Sequence, residues 1–87
     1  MLAGVPPPPY SVNLSWTGST STVAGYNVYR GTVSGGPYTK INTSLITVLT
    51  YTDSTVQAGT TYYYVATAVD SSGNESVNSN EASAQIP

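Results

Sequence analysis

Val56-Gln57-Ala58-Gly59-Thr60-Thr61-Tyr62-Tyr63-Tyr64-Val65-Ala66-Thr67-Ala68-Val69 reads as a turn followed by one long strand. Residues 60–69 are aromatic and β-branched, the composition that suits a pleated, half-buried surface. Alternation puts Tyr62, Tyr64, Ala66 and Ala68 on one face and Tyr63 on the other. Tyr62 enters the strand just after Gly59. From there its hydroxyl can reach back to the preceding backbone, which is how some β-sandwiches fix a corner.

The same period of two recurs upstream. In Ser11-Val12-Asn13-Leu14-Ser15-Trp16-Thr17, Val12, Leu14 and Trp16 share one face and the polar residues the other. A second strand covers about residues 24–32, with Tyr26 and Val28 on one face and Asn27 and Tyr29 on the other. Gly35-Gly36-Pro37 is a turn signal, residues 38–42 form a short strand, and Asn42-Thr43-Ser44 turns again. Residues 45–52 are apolar and β-branched and read as a strand that Asp53-Ser54-Thr55 closes. Asp70-Ser71-Ser72-Gly73-Asn74 is a loop rich in turn formers. A last strand runs over about residues 79–86, with Ala82, Ala84 and Ile86 alternating. No segment has capped helical periodicity. Six or seven short strands between turns predict an all-β, immunoglobulin-like antiparallel sandwich of about seven strands.

Length and composition narrow the function classes. The 87 residues hold one domain and one core, burying roughly 60–65 % of the unfolded surface. Phe is absent, so aromatic packing falls to Trp16 and eight tyrosines, each with a hydroxyl that needs a partner or water. There is no Cys for disulfides or thiolate chemistry and no His for base or metal work. Charged residues are Arg30, Lys40, Asp53, Asp70, Glu75 and Glu81, a net charge of −2. Two cations do not neutralise a phosphate backbone, and they hold poorly to anionic lipid, so neither nucleic acid nor membrane is an expected partner. No apolar run is long enough to span a bilayer, and the first residues lack the basic start and apolar stretch of a signal peptide. Ser and Thr make up over a quarter of the chain and supply its polar surface.

In order and spacing, these features resemble a fibronectin type III domain over nearly the whole chain. Trp16 matches the tryptophan that ends strand B of that family. Tyr26 and Val28 match an aromatic-aliphatic pair on strand C. Val56, Ala58, Gly59 and Tyr62 match a Leu-x-Pro-Gly-x-x-Tyr turn into strand F. Ala68-Val69-Asp70, Gly73 and Glu75-Ser76 match the segment that follows. Tyr26-Asn27-Val28-Tyr29-Arg30 and Tyr51-Thr52-Asp53 are similar to modules attached to secreted bacterial carbohydrate-active enzymes and surface proteins. Departures are Ala58 for Pro, Val56 for Leu, and a short first strand. An Arg-Gly-Asp motif is absent, Arg30-Gly31 being followed by Thr32.

The resemblance implies a fibronectin type III domain over residues 10–87. Residues 1–9 are an inter-module linker or proline-rich edge strand; a ligand for a proline-recognising domain is the other reading of Pro6-Pro7-Pro8-Pro9. It also implies a non-catalytic spacer of an extracellular, secreted or cell-surface bacterial protein, with neighbouring domains as partners and no cofactor. Structural roles fall to Trp16, Tyr26, Val28, Val56, Gly59, Tyr62 and Tyr64.

Candidate sites are few. Asp70 and Glu75 can approach across one loop as a glycosidase pair must, or belong to a solvated loop. The same loop offers hard oxygens for calcium, yet its Asp and Asn equally hydrogen-bond their own turn, and no metal site is assigned. Three Asn-x-Ser triplets, at Asn13, Asn42 and Asn74, are expected by chance in such a composition. Tyr29 and Tyr63, on outer faces of neighbouring strands, can stack on a sugar as a weak glycan contact, or form a cross-strand pair. Val33, Val48 and Leu49 suggest an apolar flank for a homodimer or protein ligand, alternation placing one of Val48 and Leu49 outside. A stand-alone binding scaffold, natural or engineered, using that flank or loops 18–23, 44–47 and 70–77, is the alternative to the spacer.

Overall fold

Alternating apolar residues build two antiparallel sheets that meet on those residues. The computed structural model describes residues 10–19 and 22–87. The proline run and the first-strand reading lie outside them. The described residues hold six strands: β1 (Val12–Ser15), β2 (Gly25–Gly31), β3 (Thr39–Lys40), β4 (Thr50–Asp53), β5 (Thr61–Val69) and β6 (Ala82–Gln85). One sheet is the pair β1-β4; the other has the order β3-β2-β5-β6. Tyr26, Val28, Ile46, Tyr62, Tyr64 and Ile86 form the core, with Val12, Leu14, Trp16 and Tyr51 packed over it from the smaller sheet. Val28 is the most buried, 1 % exposed.

The corner closes as the sequence predicts. Tyr62 is buried, and its hydroxyl accepts a hydrogen bond from the Gln57 N–H at 2.9 Å. Gly59 takes φ +76°, a left-handed conformation that costs glycine little. Its N–H meets the carbonyls of Ile86 and Pro87, which ties the end of the chain to the turn. Trp16 follows β1 directly: its N–H donates to the Leu49 carbonyl, and its ring tilts against Tyr26 with centroids 5.6 Å apart.

Three strand expectations need correction, each because a side chain or a bend replaces main-chain pairing. Residues 45–52 are not one strand. Ile46 bridges Tyr26 alone, the chain bends at 48–49, and β4 begins at Thr50. Alternation therefore does not run through Val48 and Leu49, and both are exposed, at 58 % and 42 %, where one was expected inside. In the strand expected over 38–42, only Thr39 and Lys40 pair with β2. Beyond them buried Asn42 takes over: its Oδ1 accepts from the Val28 N–H at 2.8 Å, and its Nδ2 donates to Asn27 and Ser44. The last strand starts at Ala82, not Ser79. Before it, Ser76 and Ser79 run along β5: their N–H groups donate to Ala68 and Ala66, and their hydroxyls accept from the same two residues. A hydroxyl here stands where a carbonyl would be.

Candidate functional site

Among the described residues, one charged cluster reaches into the sandwich interior. Asp53, the last residue of β4, is 3 % exposed, so its charge needs partners. Tyr64 on β5 donates its hydroxyl to Oδ2 at 2.7 Å, and Arg30 on β2 donates to the same oxygen at 2.9 Å. Thr55, two residues on, donates its N–H and hydroxyl to Oδ1. Burial pushes the Asp53 carboxyl up, but the bonds from Thr55, Tyr64 and Arg30 outweigh it and hold the group below the usual carboxylate range. Burial first, then Asp53, raises the Tyr64 phenol. The Arg30 guanidinium lies 4.8 Å from the centre of the Tyr62 ring. β2, β4, β5 and the corner are thus pinned together, with every Asp53 oxygen occupied. That arrangement staples the fold and offers no acid to a substrate.

The outer face of the larger sheet is polar and aromatic. Register places Tyr29 opposite Lys40 and Val65, and Tyr63 opposite Gly31 and Ser83. Glu75 folds back from the loop after β5, and its Oε2 accepts from the hydroxyls of Tyr29 and Thr67 and from Asn27 Nδ2. The Thr67 and Tyr29 bonds, in that order, hold its carboxyl below the usual range, and Lys40 adds to this. Glu81, ahead of β6, accepts from the Tyr38 and Ser34 hydroxyls and the Gly35 N–H. Those partners, Tyr38 foremost, lower its carboxyl, while the phenols of Tyr29 and Tyr38 are raised by the carboxylates they face. Between the two tethered tyrosines lies an open groove of about 390 Å³, lined by Tyr29, Tyr38, Thr67, Glu75, Ser76 and Asn78.

The candidate residues are distributed accordingly. Tyr29 and Tyr63 share the outer face but sit diagonally, and Tyr63 is not part of the groove. Asp70 accepts from the N–H groups of Ser72 and Asn74 in its own loop, the Asn74 bond being the main cause of its lowered carboxyl. Glu75 faces the sheet, so the two acids serve different partners. Among the described residues no three His, Cys, Asp or Glu side chains converge. Leu49 packs near Gly18, as does the Tyr26 hydroxyl, and its carbonyl accepts from the Trp16 backbone N–H. Val33 follows the end of β2 in a bend and is exposed.

Sequence reasoning gave Asn42 and Asp53 no role beyond a turn and assigned none to Tyr38 or Glu81. Asp53-Ser54-Thr55 did carry a signal, since an Asp two residues before a Thr can cap its own turn. An inward Tyr64 also demands a hydroxyl partner. Nothing local marks Glu81 or Tyr38, which are 43 residues apart.

Comparison with known proteins places this architecture. An Fn3-like protein from Clostridium thermocellum superposes with a TM-score of 0.79 and 48 % identity, over 88 % of this chain and 77 % of that one. The chain belongs to the fibronectin type III-like family. No protein-family profile matches it. Amylopullulanase of Thermoanaerobacter thermohydrosulfuricus is 52 % identical over 73 residues, which are 84 % of this chain and 5 % of that enzyme. Chitinase D of Niallia circulans is 42 % identical over 76 residues, 84 % of this chain and 13 % of that enzyme. The fibronectin type III-like chain thus matches a small segment of much longer carbohydrate-active enzymes.

Proposed function

We propose that this chain is a non-catalytic accessory module of an extracellular bacterial carbohydrate-active enzyme, acting as a rigid spacer between neighbouring domains. The observation that carries this reading is the match itself: at 52 % identity, a homologous segment occupies 5 % of an amylopullulanase. The side chains agree with it. Asp53 is internally paired, Asp70 caps its own loop, and Glu75 and Glu81 tether tyrosines, so no acid-base pair flanks a cleft. A spacer needs a stiff body, and the Asp53 cluster, the tyrosine corner and the Gly59 bonds to the last two carbonyls supply one.

The test compares the parent enzyme with and without this segment. Turnover of a short soluble oligosaccharide should be unchanged, while scattering profiles should show altered domain spacing. Hydrolysis by the isolated 87-residue chain, lost in the Asp70→Asn/Glu75→Gln double variant, would overturn the reading.

A further inference from the structure

We infer that the groove on the outer face of the β3-β2-β5-β6 sheet binds a neutral saccharide, with Tyr29 and Tyr38 as its aromatic floor and Glu75 and Asn78 as its polar fixtures. This goes beyond the spacer reading, which requires no ligand.

The two tyrosines differ from ordinary surface aromatics because each ring is held at its far end. The Tyr29 hydroxyl is bonded to Glu75 and the Tyr38 hydroxyl to Glu81. A ring already fixed loses little freedom when a ligand packs on it. Gly31 lets the chain pack closely here: a Cβ there would lie 3.3 Å from the Tyr38 ring and 2.4 Å from the Pro37 carbonyl oxygen, so its absence lets Tyr38 settle against β2. At about 390 Å³ the groove has the size of a small-ligand site, which is typically ~300–1,000 Å³.

The polar atoms select the ligand class. Glu75 Oε2 already accepts three hydrogen bonds, from Tyr29, Thr67 and Asn27, while Oε1 has no protein partner among the described residues. A carboxylate fixed through one oxygen presents the other as a positioned acceptor. Asn78, on the same rim, is exposed and brings both a donor and an acceptor. Anions are disfavoured by Glu75 and Glu81. A cation finds Glu75 already surrounded by donors, with the Lys40 charge close by. What remains is an uncharged molecule with donor hydroxyls on its edge and an apolar face for the rings, which is the chemistry of a pyranose.

The experiment is a ¹⁵N-¹H titration of the 87-residue chain with maltohexaose, cellohexaose and chitohexaose, each taken to tens of millimolar. At least one should shift the amides of Tyr29, Tyr38, Glu75, Ser76 and Asn78 with a millimolar dissociation constant. Tyr38→Ala should weaken that binding about tenfold, the scale of one aromatic contact. Asn78→Ala, an exposed change that leaves the fold alone, should weaken it severalfold. No shifts with any of the three sugars would overturn the proposal. So would shifts centred elsewhere, or binding that both variants leave intact. A module that positions domains without touching sugar would still pass the deletion test on the parent enzyme, so the two failures are distinguishable.

Discussion

Replacing Asp53 by asparagine changes one oxygen to an amide in the most connected site of the molecule. The substituted side chain would keep its size but exchange one of its two acceptor oxygens for a donor. One side of the carboxylate faces Arg30 and Tyr64, the other the N–H and hydroxyl of Thr55. The new NH₂ must face one of them. Toward Arg30 it meets a guanidinium that cannot accept, and toward Thr55 a backbone N–H that cannot accept either, so it can be satisfied only if the Tyr64 or Thr55 hydroxyl, both now donating to Asp53, turns to accept. Arg30 also loses its counter-charge. Breaking one side of a fully buried ion pair costs about 3–5 kcal/mol. The Arg30 side chain is 24 % exposed against 2 % for Asp53, so water recovers part of that. About 2–4 kcal/mol remains, a large share of the ~4–13 kcal/mol expected for a domain of this size. At ~4–8 °C per kcal/mol, the melting temperature should fall by roughly 8–32 °C. Urea unfolding followed by Trp16 fluorescence reads the change directly. Tyr64→Phe and the Asp53→Asn/Tyr64→Phe double variant complete a cycle, whose coupling energy should exceed ~0.5 kcal/mol. If Asp53→Asn leaves the urea midpoint and slope where they were, the cluster contributes nothing and the reasoning fails.

Tyr62→Phe removes the hydroxyl that accepts from Gln57 and should cost ~1–3 kcal/mol, whereas Tyr63→Phe, away from the corner, should stay within about 0.5 kcal/mol; equal melting temperatures for the two variants would refute the corner assignment. Asp53 also sets an acid limit. Its folded pKa lies below its unfolded value, so its contribution is fully present above the ordinary aspartate pKa of about 4 and is lost as pH falls through the folded value. Melting temperature should therefore decline below about pH 4, and the decline should be shallower in Asp53→Asn. Gly31→Ala puts a methyl 2.4 Å from the Pro37 carbonyl oxygen, so the β2–β3 connection must shift; a loss of ~1–3 kcal/mol in calorimetry is expected, and no loss would mean that the connection moves freely.

What the chain determined by itself was local. Alternation from Val12 to Trp16, from Tyr26 to Val28 and along β5 assigns each side chain a face, because that period follows from the backbone of a strand. The corner was legible for a similar reason: Tyr62 reaches Gln57 only five residues back, across a turn that Gly59 marks. Where side chains or bends take over from main-chain pairing, the pattern misled. Asn42, Ser76 and Ser79 bond to backbone groups that no periodicity reveals, and the bend at 48–49 put both Val48 and Leu49 outside. The pairing of the charged groups, buried and exposed, was decided by tertiary structure alone. Asp53 meets Arg30 across 23 residues, Glu75 meets Tyr29 across 46, and Glu81 meets Tyr38 across 43. Such pairs depend on strand register and on how loops fold back over a sheet, which the core as a whole enforces. The sequence named Tyr29 and Tyr63 as outer tyrosines; only the packed sheet set Tyr38 beside Tyr29 and turned their shared face into a groove.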